Sequence, residues 1–184
     1  MKLKTRLRGV TYEFRDLVDV LAKAGEEKSG DVLAGIAANS SAERVAAKRV
    51  LAEVTLEEIR NNPAIPCEID EVSRVQEEQI NEQIFSEIKN WTVAEFREWI
   101  LSHETTGDMI RRVSRALTGE MASAVAKLMS NMDLVYAASK IHVITHCETT
   151  LGLPGTLSFR IQANHPADSI EGITASTLEG LSYT

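Results

Sequence analysis

The sequence has 184 residues, enough for one domain or a domain plus part of a second, and its 43% hydrophobic and 26% charged residues suit a chain with a buried core rather than a disordered one. With 20 Lys+Arg against 27 Asp+Glu the formal net charge is −7 and no basic block occurs, which excludes the electrostatic footprint of a nucleic-acid binder. No run of about 18 apolar residues is present, so no membrane-spanning helix is expected.

The basic opening, Lys2, Lys4, Arg6 and Arg8, is not followed by the apolar stretch of a signal peptide, because Glu13, Arg15, Asp16 and Asp19 interrupt it. The expected location is the cytoplasm, where Cys67 and Cys147 stay as two reduced thiols. Phe14, Leu17, Val18 and Leu21 fall at i, i+3, i+4 and i+7, one stripe of an amphipathic helix. Ser29-Gly30-Asp31 starts another helix, with Asp31 near its positive end.

Three segments carry a Ser or Thr followed three residues later by Glu, a pattern that satisfies two orphaned backbone donors at a helix start. Ser40 with Glu43 precedes an alanine-rich helix reaching about Glu53. Thr55 with Glu58 opens a short helix that must stop near Asn61-Asn62-Pro63. Thr92 with Glu95 starts a helix ending near His103. Between the last two, Val72, Val75, Ile80, Ile84 and Ile88 predict one long polar helix over about 70–89. Further helices are expected over 109–116, 120–128 and 133–138, the last two separated by a break at Ser130-Asn131.

Beyond residue 140 the character changes. His142-Val143-Ile144-Thr145 reads as a short extended piece, Gly152-Leu153-Pro154-Gly155 as a turn, and 156–162 alternates like a strand. Pro166 and Asp168 introduce a final helix, with Asp168 and Glu171 as its cap and Ile170, Ile173, Leu178 and Leu181 on one face. A strand followed by a helix is half of a β-α-β unit, and its backbone groups need a neighbouring strand. This end of the chain is therefore expected to be an incomplete structure.

Most candidate chemistry gives way to a plainer reading. His142 and His146 have the spacing of two metal ligands on one helix face, but the β-branched run between them opposes a helix; surface histidines are expected and no metal site. The Gly152–Gly155 turn lacks the spacing of a phosphate loop. Glu104, Asp108 and the carboxylates of residues 68–87 form no tight pair and are expected on solvated helix faces. Arg160 and Gln162 differ, because residues i and i+2 of a strand share a face, here just before a helix. Active sites of β/α barrels are built at such strand ends, and the pair offers donors for a hydroxyl or a carboxylate. Spacing alone favours an ordinary ion pair at a strand edge.

Several segments, in order along the chain, carry a resemblance. They include Met1-Lys2-Leu3-Lys4-Thr5, Ser29-Gly30-Asp31-Val32-Leu33-Ala34-Gly35, Glu43-Arg44-Val45-Ala46-Ala47-Lys48 and Ile59-Arg60-Asn61-Asn62-Pro63. Ile88-Lys89-Asn90-Trp91, Thr149-Thr150-Leu151-Gly152-Leu153-Pro154-Gly155-Thr156, Arg160-x-Gln162 and Leu178-Glu179-Gly180-Leu181-Ser182 complete the series. The sequence resembles the N-terminal portion of the large, catalytic subunit of ethanolamine ammonia-lyase.

That resemblance implies a mainly α chain: a helical N-terminal domain over 1–150, then over 151–184 the first strand and helix of a truncated TIM-type (β/α)8 barrel. It implies that Arg160 and Gln162 bind substrate, the arginine donating to the hydroxyl of ethanolamine and the glutamine positioning the amino alcohol. The complete enzyme uses adenosylcobalamin in a radical reaction that releases acetaldehyde and ammonia. Its partners are a small subunit and further large subunits, in the cytoplasm, inside or outside an ethanolamine-utilisation microcompartment. No catalytic residue is assignable in the chain, which alone is expected to be inactive and to bind the cofactor weakly at best. The alternative is a non-catalytic helical assembly module derived from that subunit.

Overall fold

The computed structural model describes residues 1–146, 150–157, 161–163 and 169–183, and the chain is mainly helical. It divides into two compact units, Met1–Ile141 and His142–Thr184.

The first unit opens with a hairpin that helical periodicity does not reveal. Strands β1 (Lys4–Leu7) and β2 (Val10–Glu13) pair antiparallel, with Leu7 opposite Val10 and Lys4 opposite Glu13. The turn between them sets Arg8 at φ 47° and Gly9 at φ 84°, two positive angles that match the right-handed twist of the strands. Leu3 and Leu7 alternate with exposed Lys4 and Arg6, and with Tyr12 they pack on the core. Lys4 and Arg6 of the basic opening are the solvent face of a strand.

Helix α1 (Leu17–Ala24) corrects the expected stripe. The Asp16 carboxylate accepts the N–H of Asp19 at 2.8 Å and starts the helix after Phe14, so Phe14 is buried from the preceding loop. The buried face is Leu17, Val20 and Ala24, while Val18 is 42% exposed. A short α2 (Ser29–Leu33) forms where Ser29 and Asp31 predicted it, and buries nothing. Helix α1 packs against α3 (Ser41–Ala52), whose buried Ala46 and Ala47 present only methyl groups and let the two backbones approach.

The capping motifs form as their spacing predicts. Ser40 Oγ accepts the Glu43 N–H at 3.1 Å, although the Glu43 carboxylate turns back to Asn39 instead of completing the box. Helices α4 (Leu56–Arg60) and α7 (Val93–Leu101) have complete boxes, Thr55 with Glu58 and Thr92 with Glu95. These two helix starts abut. Thr55 and Thr92 form an antiparallel bridge, Leu56 N–H donates to Trp91 O at 3.0 Å, and Val93 N–H donates to Val54 O at 2.8 Å.

The single helix expected over 70–89 is two, α5 (Glu71–Glu78) and α6 (Glu82–Ile88). Asn81 N–H donates to Arg115 O at 2.8 Å, and its side chain accepts the Ile84 N–H at 3.1 Å, so the chain restarts there as a new helix. Ile80 is buried at the break, while Val72 stays 64% exposed. A distant backbone contact overrides a local pattern.

Helices α8 (Gly107–Ser114), α9 (Gly119–Lys127) and α10 (Asn131–Lys140) start at the capping side chains of Thr106, Thr118 and Ser130, the last at the predicted break. Lys140 Nζ donates to the carbonyls of Ile100 and Ser102, closing the end of α7. Leu17, Leu51, Leu56, Ile59, Met121 and Val93 form the wholly buried centre of this unit.

In the second unit a minimal hairpin joins β3 (Thr145–His146) to β4 (Thr150–Leu151). The turn expected at Gly152–Gly155 follows: Thr156 N–H donates to Leu153 O at 3.1 Å, with Gly155 at φ 77°. Gly152 is required twice over, since its φ is 93° and an added Cβ would lie 2.0 Å from Val143 O. Helix α11 (Ile170–Leu181) starts at Ser169, whose Oγ accepts the Gly172 N–H at 3.2 Å. The expected cap residue Asp168 lies outside the described residues, as does Cys147. Ile170, Leu178 and Leu181 are 79%, 63% and 60% exposed, so the predicted apolar face of α11 is not covered within this unit.

Candidate functional site

The two residues singled out by strand alternation fare differently. Arg160 lies outside the described residues, whereas Gln162 is exposed and belongs to no regular element. The strand expected over 156–162 is not formed at its described positions, Thr156, Leu157, Ile161 and Gln162. An isolated strand has no partner for its N–H and C=O groups, so extended backbone there gains no ladder.

One packing contact orients the segment. Gly180 is the buried residue of α11, and a Cβ built on it would lie 2.0 Å from Ile161 Cδ1, 3.0 Å from Cγ1 and 3.2 Å from Cγ2. Ile161 therefore sits directly on the helix backbone, in a space that only glycine leaves open.

The histidine pair does not share a helix. His146 is in β3, its Nδ1 3.1 Å from Thr150 Oγ1, while His142 precedes the strand. Among the described residues no group of three or more His, Cys, Asp or Glu is placed to hold a metal ion.

The carboxylates of residues 68–87 are exposed or half-buried, and most of them are engaged, which spacing could not show. Glu77 and Glu82 bind Arg60, whose guanidinium lies 4.5 Å from the centre of the Phe85 ring. Glu87 binds Arg112, and Glu71 and Glu78 bind Arg74. The hydrogen bonds from Arg60 and Arg112 hold Glu82 and Glu87 below the usual carboxylate range. Every resolved carboxylate shift among the described residues is downward, opposite to what a general acid near neutral pH needs. Glu77, Glu82 and Glu87 tie helices together, while Glu71 and Glu78 brace α5 internally.

The break between α5 and α6 opens a cleft of about 330 Å³ lined by Gln76, Gln79, Asn81, Ser114 and Arg115 with Ile80 and Leu117. That volume lies at the lower end of small-molecule pockets. No helix of the described residues is long and apolar enough to cross a membrane.

Comparison with known proteins gives a consistent result. The sequence model of the family described as "Ethanolamine ammonia lyase large subunit (EutB)" matches residues 12–184. The chain is 52% identical over 183 residues to the ethanolamine ammonia-lyase large subunit of Escherichia coli, and 51% identical to that of Salmonella typhimurium. Each alignment takes in 100% of this chain and 40% of the relative, so the chain spans well under half the length of the relatives it matches.

Proposed function

Since this chain belongs to the ethanolamine ammonia-lyase large-subunit family, we propose that it forms the N-terminal part of an enzyme converting ethanolamine to acetaldehyde and ammonia. On this reading residues 1–150 are the helical domain, and residues 151–184 supply the first strand and helix of a β/α barrel. The observation that carries it is an overall identity of 52% in an alignment that takes in the whole chain. The seat of Ile161 on Gly180 supports it, because barrel strands turn alternate side chains to the surrounding helices and to the interior.

The substrate roles follow from the donor chemistry of the two side chains. The Arg160 guanidinium donates to the substrate hydroxyl, and the Gln162 carboxamide fixes the orientation of the amino alcohol. Adenosylcobalamin, when bound by the complete enzyme, supplies the radical chemistry. The cleft between α5 and α6, about 330 Å³ with a polar lining, is too small to enclose a corrin. The partners on this reading are a small subunit and further large subunits, in the cytoplasm or within an ethanolamine-utilisation microcompartment.

The test is complementation. The chain joined by the remaining large-subunit sequence and the small subunit should produce acetaldehyde from ethanolamine only when adenosylcobalamin is added. In that assembly Arg160→Ala should lower kcat/KM by roughly 10- to 150-fold, the loss of one hydrogen bond involving a charged group. An unchanged kcat/KM would remove Arg160 from the site. A second reading, a helical assembly module without catalysis, is favoured by the buried core that Met1–Ile141 has of its own. It predicts a cooperative melt of the 184-residue chain and an inactive complemented assembly.

A further inference from the structure

We propose that the cleft at the break between α5 and α6 binds a small monocarboxylate, read by Arg115 together with the carboxamides of Gln76 and Asn81. Among the described residues Arg115 is the one charged side chain in the lining. Its backbone carbonyl accepts the Asn81 N–H at 2.8 Å, which fixes the residue at the cleft, while its guanidinium has no hydrogen bond or ion pair among the described residues. The carboxylates around it are committed elsewhere. The five glutamates of α5 and α6 are held by Arg60, Arg74 and Arg112. At the start of α9, Glu120 accepts the Ala64 N–H at 2.8 Å.

The two carboxamides are oriented by bonds that only their oxygens can make. Gln76 Oε1 accepts the Gly119 N–H at 3.3 Å, and Asn81 Oδ1 accepts the Ile84 N–H at 3.1 Å. A backbone N–H only donates, so each carboxamide keeps its NH2 group for a ligand. A guanidinium fork beside two NH2 groups is a lining of donors, which the two oxygens of a carboxylate match. One guanidinium balances one negative charge, and that favours a carboxylate over a phosphate group carrying roughly −1.5 to −2 at neutral pH. No carboxylate lines the cleft among the described residues, so an ammonium group on the ligand would have no ion partner. Ile80 and Leu117 complete the wall and offer apolar surface to a short aliphatic chain, and a volume of about 330 Å³ keeps the ligand small.

The test is an NMR titration of the isotope-labelled 184-residue chain with butyrate replacing chloride at constant ionic strength, with butanol and inorganic phosphate as further arms. The expected result is saturable shifts of the Gly119 and Ile84 amides and of the Gln76 and Asn81 side-chain NH2 groups. Arg115→Gln should raise the half-saturation concentration at least about tenfold, and it leaves in place the backbone carbonyl that holds Asn81. Gln79→Glu sets a carboxylate in the lining at the exposed end of α5 and should abolish saturation while Arg115 is kept. Should Arg115→Gln lose its folded spectrum, Gln79→Glu and the butanol arm still decide. Equal shifts from butanol would show contact with Ile80 and Leu117 alone and would overturn the site. Tighter saturation by phosphate would overturn the choice of a monocarboxylate, and a linear response unaltered by either variant would overturn the site itself.

Discussion

Gly180→Ala tests the seat of Ile161 by the sign of its effect. In the interior of an unobstructed helix this change is stabilising, by about 0.5–1 kcal/mol, because alanine loses less backbone entropy than glycine. Here the new methyl carbon would stand 2.0 Å from Ile161 Cδ1, when carbon atoms in contact need about 3.5–4.0 Å. Rotating the end of the isoleucine relieves that overlap but leaves Cγ1 and Cγ2 at 3.0 and 3.2 Å, so the side chain has to move as a whole. Overpacking of this kind costs about 1–3 kcal/mol, which offsets the helix gain and leaves the variant destabilised by up to about 2 kcal/mol. Hydrogen exchange of the α11 amides in the 184-residue chain reads the sign directly. Ile161→Ala removes all three offending atoms, so the double variant should regain the stabilisation expected of alanine in a free helix. In a complemented enzyme the single variant should lower kcat/KM by up to about 100-fold through a displaced substrate site, with recovery in the double variant. Slower exchange in Gly180→Ala alone would show that the contact is absent.

Two further outcomes follow from the packing and charge of the first unit. Met121→Ala at the fully buried start of α9 should cost about 2–5 kcal/mol in urea unfolding, while Met132→Ala, 73% exposed on α10, should stay within about 0.5 kcal/mol of the parent. Glu43 and Glu58 have pKa values lower in the folded chain than in the unfolded one. Burial pushes both up, but it is outweighed by bonds from Lys23 and Asn39 to Glu43, and from the amino terminus and Thr55 to Glu58. Their contribution is complete above the unfolded value, about 4.3, and is lost as pH falls through the folded one. Tm should therefore hold level down to about pH 5 and fall below it, less steeply in Glu43→Gln; an equal fall in both proteins would show that Glu43 is not linked to folding.

What the sequence discloses depends on how local the cause is. Thr55 with Glu58, Thr92 with Glu95 and the break at Ser130 were legible because a cap is made within four residues. Thr106 and Thr118 also cap their helices but lack an acidic residue three positions on, so the motif did not show them. The division of α5 from α6 was hidden, since it depends on a carbonyl at Arg115 that lies 34 residues beyond Asn81. The first hairpin left a readable trace in the alternation of Leu3 and Leu7 with Lys4 and Arg6, but a run of charge outweighed it. For the candidate site, alternation named Arg160 and Gln162 as one face. The structure adds the contact of Ile161 with Gly180, a packing detail that alternation could not disclose.

The junction of the α4 and α7 starts has a topological consequence. Thr55 and Thr92 close a ring of chain at its neck, so everything from Asn61 to Asn90 hangs from a knot already tied by backbone hydrogen bonds. Loop entropy grows only slowly with length once the ends are joined. The largely exposed stretch over residues 61–69 is thus where added residues should disturb the centre of this fold least.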